Sequence, residues 1–387
     1  MTLNVGSHII LIGNYIPDDQ VSMQRFTNML DMGFKDAGVT SEIWHPRVFF
    51  GKWVKQTFYG LGKWLGYIDK WIIFPLILKR RLRRIKWNNK SYSFHICDHS
   101  NAPYLKYLPV ERTVITCHDV LAIMGALGYP DTYCEASRLG RILQSRILKY
   151  LMKAEKLAAV SNQTLTQLEF LSKDKLPANK DWRIIHNGFN KDFKPLDASS
   201  FSSILNLVNM ELKNPFLLHV GSGQPRKNRA LLVEMISILN SKWNGKICFA
   251  GECIDPKLYA YASSLGVTDK IISVVSPNHN HLVALYSACE AFIFPSFSEG
   301  FGWPLIEAQA CGAPVIASNV APLPEVSGGA AIHKDPKNAR EFAIAFLRLE
   351  NKEIRNDLIK KGFENSSRFN SKKMIREYLD LHGFFLN

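Results

Sequence analysis

Short apolar runs alternate with amphipathic stretches along nearly the whole chain, and this alternation constrains the fold more than any other feature. Residues 8–12, 41–45, 94–97, 113–117, 157–160 and 182–185 read as strands, and 21–37 as a helix between the first two. Strands that are apolar on both faces, separated by helices, need a parallel sheet covered on both sides. A polar connection follows over 187–214. A second series then begins at 216–220 and runs through 246–250, 271–275, 291–296 and 315–317. The fold class is therefore α/β, with two Rossmann-like, doubly wound domains. The expected layout is 1–190, a linker at 191–214, and 215–367. Two such sheets favour a ligand cleft between the carboxyl ends of their strands. Asn370-Ser371 caps a last helix over 372–381, with Met374, Ile375, Tyr378 and Leu379 on its apolar face.

A chain of 387 residues can bury ample core in two or three domains. Its net charge of +14 is uneven: residues 1–190 hold 26 Lys and Arg against 15 Asp and Glu, and the rest 22 against 19. The basic half should meet something anionic. Seven scattered cysteines favour reduced core thiols and a reducing compartment over a disulfide scaffold. Cys97, His99, Cys117 and His118 lack the paired spacing of a zinc site and suit strand ends. The longest apolar run, 71–78, is far short of the roughly 20 residues that span a bilayer, and no signal peptide is evident. The expected location is cytoplasmic, either free or peripheral at the cytoplasmic face of a membrane.

Two segments carry the chemistry. Gly221-Ser222-Gly223-Gln224-Pro225-Arg226-Lys227-Asn228 follows the first strand of the second series and opens a helix over 228–239. Ser298-Glu299-Gly300-Phe301-Gly302-Trp303-Pro304-Leu305-Ile306-Glu307 lies between the 291–296 strand and a helix ended by Gly312. A helix N-terminus has unpaired N–H groups and partial positive charge, so both turns suit phosphate. Arg226 and Lys227 add fixed cations. Glu307 is placed to accept hydrogen bonds from a ribose, and Glu299 to face a sugar.

These residues resemble the donor site of retaining glycosyltransferases of family 4, which carry a Glu-x7-Glu motif on the two-domain GT-B fold. The resemblance implies a donor site of Gly221, Gly223, Arg226, Lys227, Val275, Glu299, Gly300, Phe301, Gly302, Leu305 and Glu307. It implies catalytic roles for Glu299, Arg226, Lys227 and His118, the last in the His118-Asp119 pair ending the 113–117 strand. Asp98-His99 resembles a turn that faces the acceptor; Asp18 and Asp19 either share that role or only precede the first helix. The family often returns a last helix, here 368–387, to the N-terminal domain. The implied substrates are a UDP- or GDP-sugar and a glycan or lipid-linked acceptor, with no cofactor or metal required, since Asp-x-Asp is missing and Arg226 and Lys227 are present. The turn Gly13-Asn14-Tyr15 departs from the Gly-Gly of many relatives and lacks the Lys-x-Gly-Gly of glucan polymerases. The implied activity is hexosyl transfer in envelope or exopolysaccharide synthesis. The alternatives are a GT-B epimerase or glucan synthase, or a non-catalytic sugar-nucleotide binder.

The insertion 48–90 holds four of the eight tryptophans and ends in Lys79, Arg80, Arg81, Arg83, Arg84, Lys86 and Lys90. Aromatic and cationic residues together suit an anionic membrane surface; packing on the domain is the alternative. No recognition motif supports nucleic-acid binding.

Overall fold

The computed structural model describes residues 7–54, 57, 60–85, 92–172, 176–189, 191–206 and 215–384; Lys86, Trp87 and Lys90 lie outside the described residues. The chain divides into two compact units, one of residues 1–127, 135–190 and 370–387, the other of 128–134 and 191–369.

The first unit is built on β1 (His8–Ile12), β2 (Thr40–Trp44), β3 (Tyr92–Ile96), β4 (Thr113–Cys117), β5 (Lys156–Ala159) and β6 (Asp181–Ile184). They form a parallel sheet in the order β2-β1-β3-β4-β5-β6. Ile9 to Ile12 are fully buried, which is why β1 is apolar at every position rather than alternating. Each such side chain is worth about 2 kcal/mol of burial. The helix Val21–Asp36 lays Phe26, Leu30 and Phe34, spaced four apart, into the core.

Helix Ser371–His382 belongs to this unit although it lies nearly 200 residues beyond β6. Asn370 caps it by accepting from the Lys372 and Lys373 N–H groups. Its buried face includes Met374, Ile375, Tyr378 and Leu379. A chain of polar contacts fastens it to the sheet: Ser93 Oγ to His382 Nδ1 at 2.6 Å, His382 Nε2 to His95 Nδ1 at 3.1 Å, His95 Nε2 to Thr116 Oγ1 at 2.8 Å, and Thr116 to Tyr378 Oη at 3.0 Å. Gly188 sits so close that an added Cβ would lie 2.7 Å from the Ser371 Cα, so only glycine fits the turn there.

Within the insertion, residues 60–84 form one continuous helical rod: Gly60–Ile68, a π-turn at Asp69–Ile73, and Phe74–Arg84. Asp69 anchors it. Its buried carboxylate accepts from the Tyr15 hydroxyl at 2.6 Å and from the N–H groups of Phe49, Phe50 and Gly51 at 3.0–3.1 Å. Burial alone would raise this carboxyl, but those donors outweigh it and lower it. Trp71 stacks at a tilt on Tyr104 and Trp44 is buried beneath the Arg81 guanidinium, whereas Trp53 and Trp64 are exposed.

The second unit carries β7 (Phe216–Gly221), β8 (Lys246–Gly251), β9 (Ile271–Val275), β10 (Ala291–Phe294), β11 (Val315–Ser318) and β12 (Ile332–Lys334), parallel and in the order β12-β11-β10-β7-β8-β9. The chain winds outward from β7 through β8 to β9, then restarts beside β7 at β10. The reversal between β7 and β10 is where a doubly wound sheet opens a binding crevice. Two details differ from the sequence-based layout. Residues 191–206, expected as linker, belong to this unit: their helix Ala198–Asn206 packs on the helix His279–Ala288, and the Leu196 N–H reaches Ser287 Oγ at 3.1 Å. Residues 128–134 also belong here, with Tyr133 stacked on Phe297 at 4.6 Å.

Candidate functional site

Both chemistry-bearing segments emerge at the β7/β10 reversal. After β7 the chain makes a 3-10 turn, Pro225–Lys227, and Asn228 adopts a left-handed conformation before the helix Arg229–Leu239. Asn228 Nδ2 ties this turn to the end of β10 by donating to the Pro295 carbonyl at 3.1 Å and to the Pro336 carbonyl at 2.7 Å. The Phe297 N–H donates to the Arg226 carbonyl at 2.8 Å. The two loops are thus held in register by backbone and amide groups.

Glu299 is the centre of the arrangement. Its Oε1 accepts from Lys227 Nζ at 2.7 Å and its Oε2 from Arg226 Nη1 at 3.0 Å; Arg226 Nη1 also donates to the Ser298 carbonyl at 3.1 Å. The Glu299 carboxyl is buried, which by itself would raise its pKa, but Lys227 and Arg226 prevail and pull it down to about 2. Burial pushes the Lys227 ammonium down, and Glu299 opposes that shift. Two cations and one carboxylate leave a net positive charge in a poorly solvated place. Arg226 and Lys227, expected to face phosphate, are therefore shared with Glu299 in this structure.

Beside them, Gly302 caps the helix Trp303–Ala310 at φ +105°, a conformation only glycine adopts without strain, and an added Cβ would meet Leu323 Cδ2 at 2.8 Å. Phe301 is buried against Phe369 at 5.7 Å, and Leu305 is fully buried. Pro304 occupies the first turn, where its missing N–H costs nothing. Glu307 accepts from the Tyr286 hydroxyl at 3.0 Å, which fixes one carboxylate oxygen. Tyr286, fully buried on the helix His279–Ala288, was not singled out in the sequence; nothing in its local pattern separates it from a core residue. Gly221 pairs with Gly251 across β7 and β8, the Gly223 N–H donates to Glu252 Oε2 at 2.7 Å, and Val275 is exposed at the end of β9. His219, buried beneath Gly221 with Nδ1–H donating to the Ile293 carbonyl at 3.2 Å, is a second residue missed by the sequence reading. Burial lowers its pKa to about 3, so it is neutral.

The first unit has its own reversal, between β1 and β3. Asp98 is buried there and accepts from the Ser100 N–H at 2.9 Å and from Asn14 Nδ2 at 2.5 Å, while Asn101 Nδ2 donates to Asn14 Oδ1 at 2.9 Å. His99 Nδ1 lies 3.3 Å from Asp98. His118 is buried edge-on to Phe26 and its Nε2–H donates to the Cys97 carbonyl at 2.9 Å. Burial lowers its pKa, with Asp98 opposing, so its imidazole is neutral. Asp18 accepts from Lys70 Nζ at 2.6 Å and from Thr57 Oγ1 at 2.8 Å. Asp19 is exposed with φ +48°. Arg80, Arg81, Arg83 and Arg84 lie on the last turns of Phe74–Arg84. The seven cysteines are free thiols, five of them buried.

Residues 207–365 match the family described as glycosyl transferases group 1. The chain is 28% identical over 275 residues to O-antigen chain mannosyltransferase B of Escherichia coli, covering 68% of each chain. Its fold is similar to that of sucrose-phosphate synthase from Thermosynechococcus elongatus, with a TM-score of 0.76 at 18% identity over 97% of this chain and 98% of that one. It is also similar to Anabaena Alr3699/HepE in complex with UDP and glucose, with a TM-score of 0.71 at 13% identity over 97% and 99%. The chain has the GT-B fold, and the match to the glycosyl transferases group 1 model falls on residues 207–365, most of its second unit.

Proposed function

We propose that this protein is a retaining, metal-independent hexosyltransferase of the family 4 type, working on a nucleoside-diphosphate sugar. The observation that carries the reading is Glu299 held between Arg226 and Lys227 at the β7/β10 reversal, beside the start of the Trp303–Ala310 helix. A leaving diphosphate develops negative charge, and fixed cations in a poorly solvated site stabilise it without reorganising at the moment of reaction. Glu299 keeps Lys227 charged and in place until that phosphate arrives, then positions the sugar and stabilises the oxocarbenium-like centre. The acceptor hydroxyl attacks from the face the diphosphate leaves, and the departing phosphate takes its proton. Glu307, oriented by Tyr286, holds the ribose hydroxyls. His118, neutral and buried, serves as hydrogen-bond partner to a sugar hydroxyl. The acceptor is a glycan or lipid-linked saccharide of the cell envelope, and the mannosyltransferase relative favours mannose as the sugar.

The test is a thermal-shift series with UDP, GDP, ADP and CMP, each with magnesium and with EDTA, on wild type and Glu307→Ala. Stabilisation by one diphosphate that persists in EDTA and is lost in Glu307→Ala supports the site and names the base. Stabilisation that requires magnesium overturns metal independence. No response to any nucleotide at millimolar concentration overturns the donor site.

A further inference from the structure

The helical rod of residues 60–84 turns a coherent apolar stripe away from its own unit. Its buried positions are Gly62, Gly66, Asp69, Phe74 with the adjoining Pro75, and Leu78; from Gly62 through Phe74 to Leu78 the steps are 4, 3, 5 and 4 residues. The step of five falls on the π-turn, which inserts one residue and resets the helical phase so that the buried face stays continuous. The same reset keeps the opposite face in line. Leu61 is 81% exposed, Trp64 52%, Ile72 57% and Leu76 61%, and the stripe continues into exposed Arg80 and Arg83. Single exposed apolar residues are ordinary, but a row of four large ones along one helix face is not. Trp53, 67% exposed, precedes the rod on the same insertion.

The charge around the stripe identifies what covers it. Between Glu42 and Asp98 the chain carries twelve Lys and Arg residues and one acid, Asp69. That acid is consumed internally by Tyr15 and three backbone N–H groups. At the basic end, an open cleft of ≈ 390 Å³ is lined by Trp44, Tyr92, Arg81 and Arg84, with Glu42 also on its wall. Arg81 is held over the Trp44 ring at 4.9 Å. Two guanidinium groups in a cleft fit a phosphodiester. A nucleic acid supplies phosphate but makes no use of exposed Leu and Ile. A bilayer with anionic headgroups satisfies both the stripe and the cations. Among the described residues no helix is long and apolar enough to cross a membrane, so the rod would lie in the interface. We propose that the 60–84 rod is a membrane-docking surface: Leu61, Trp64, Ile72 and Leu76 enter the headgroup boundary of an anionic bilayer while Arg80, Arg83 and the Arg81–Arg84 cleft hold lipid phosphates. This assignment is independent of the catalytic reading.

The experiment is co-sedimentation of the full chain with phosphatidylcholine vesicles, alone and with about 30% phosphatidylglycerol, at low and high salt. The expected result is at least about tenfold more binding to the anionic vesicles, reduced by salt, with a blue shift in tryptophan emission that Trp64→Phe diminishes. Leu61→Glu/Leu76→Glu should abolish binding, and Arg80→Glu/Arg83→Glu should remove the anionic preference. All four sites are exposed, so unchanged thermal midpoints would show that the variants fold. No sedimentation with either vesicle, or full binding by the Leu61→Glu/Leu76→Glu variant, overturns the proposal. A concentration-dependent dimer that this variant abolishes, without vesicle binding, assigns the face to a second copy of the chain and also overturns it.

Discussion

Replacing Glu299 by Gln separates what this carboxylate does for folding from what it does for the donor. The substitution keeps the shape and removes the charge. The carboxyl lies at about 2 against an ordinary 4.5, and that difference amounts to roughly 3 kcal/mol of folded-state stability carried by the ionised form. Glutamine forfeits it and leaves Lys227 buried beside Arg226 with no counter-charge. Because the folded-state value is the lower one, the contribution is complete above pH 4.5 and lost as pH falls toward 2. The variant should therefore be about 3 kcal/mol less stable than wild type by urea unfolding at pH 7, and the gap should narrow below pH 4.5. The ligand response should run the other way. With Arg226 and Lys227 no longer shared, a nucleoside diphosphate should bind about tenfold tighter, while sugar transfer falls on the order of a hundredfold. A stability gap that stays constant from pH 7 to pH 3, or diphosphate binding that weakens together with stability, would refute this account of the triad.

Lys227→Ala should lower transfer by about 10²- to 10³-fold and cost on the order of 3 kcal/mol of stability; near-normal turnover in radiolabelled sugar transfer would remove the phosphate role. Tyr286→Phe removes one hydrogen bond that orients Glu307, so nucleotide affinity by calorimetry should fall about fivefold, the worth of one oriented hydrogen bond; an unchanged constant would count against the ribose contact. His95 is fully buried with its pKa lowered to about 3, chiefly by burial, and burial likewise takes His382 well below its ordinary value. The unfolded chain binds more protons below pH 6.5, so this stability is complete above pH 6.5 and drains away toward pH 3. For His95 alone the loss at pH 5 is about 2 kcal/mol. Hydrogen exchange of helix Ser371–His382 should accelerate between pH 7.5 and 5 after correction for the intrinsic rate; equal protection at both would show that the histidines do not carry it.

Eleven of the twelve described strands were legible, most of them as apolar runs bounded by turn residues and the mixed runs Thr40–Trp44 and Asp181–Ile184 from their place in the alternation. Ile332–Lys334 was not: three half-buried residues, one His and one Lys among them, give no period to read. The helix Ser371–His382 was legible from its Asn370 cap and its 3-4 spacing, but the His95–His382 contact joins residues 287 apart, and no local pattern records such a pairing. The same limit holds at the candidate site. The glycines and Glu299 and Glu307 announce themselves by position, while the sharing of Arg226 and Lys227 with Glu299 requires 73 and 72 residues of intervening chain to fold first. The partners of Asp18 are hidden in the same way: only the folded insertion brings Lys70 and Thr57 beside it.

The returning helix sets an order of assembly. Residues 191–369 form most of the second unit and leave the ribosome before 371–382 do, so that unit can finish folding while the first still lacks an element. Until then Phe26, Phe34 and His95, which pack against Tyr378 and His382, have no cover on that side. The unit that starts earlier of the two is thus the later to close, and the waiting interval is one of exposed apolar surface. A chain arrested before residue 371 would carry a complete second unit and an aggregation-prone first one, which makes synthesis of residues 371–382 a checkpoint on whether the protein accumulates.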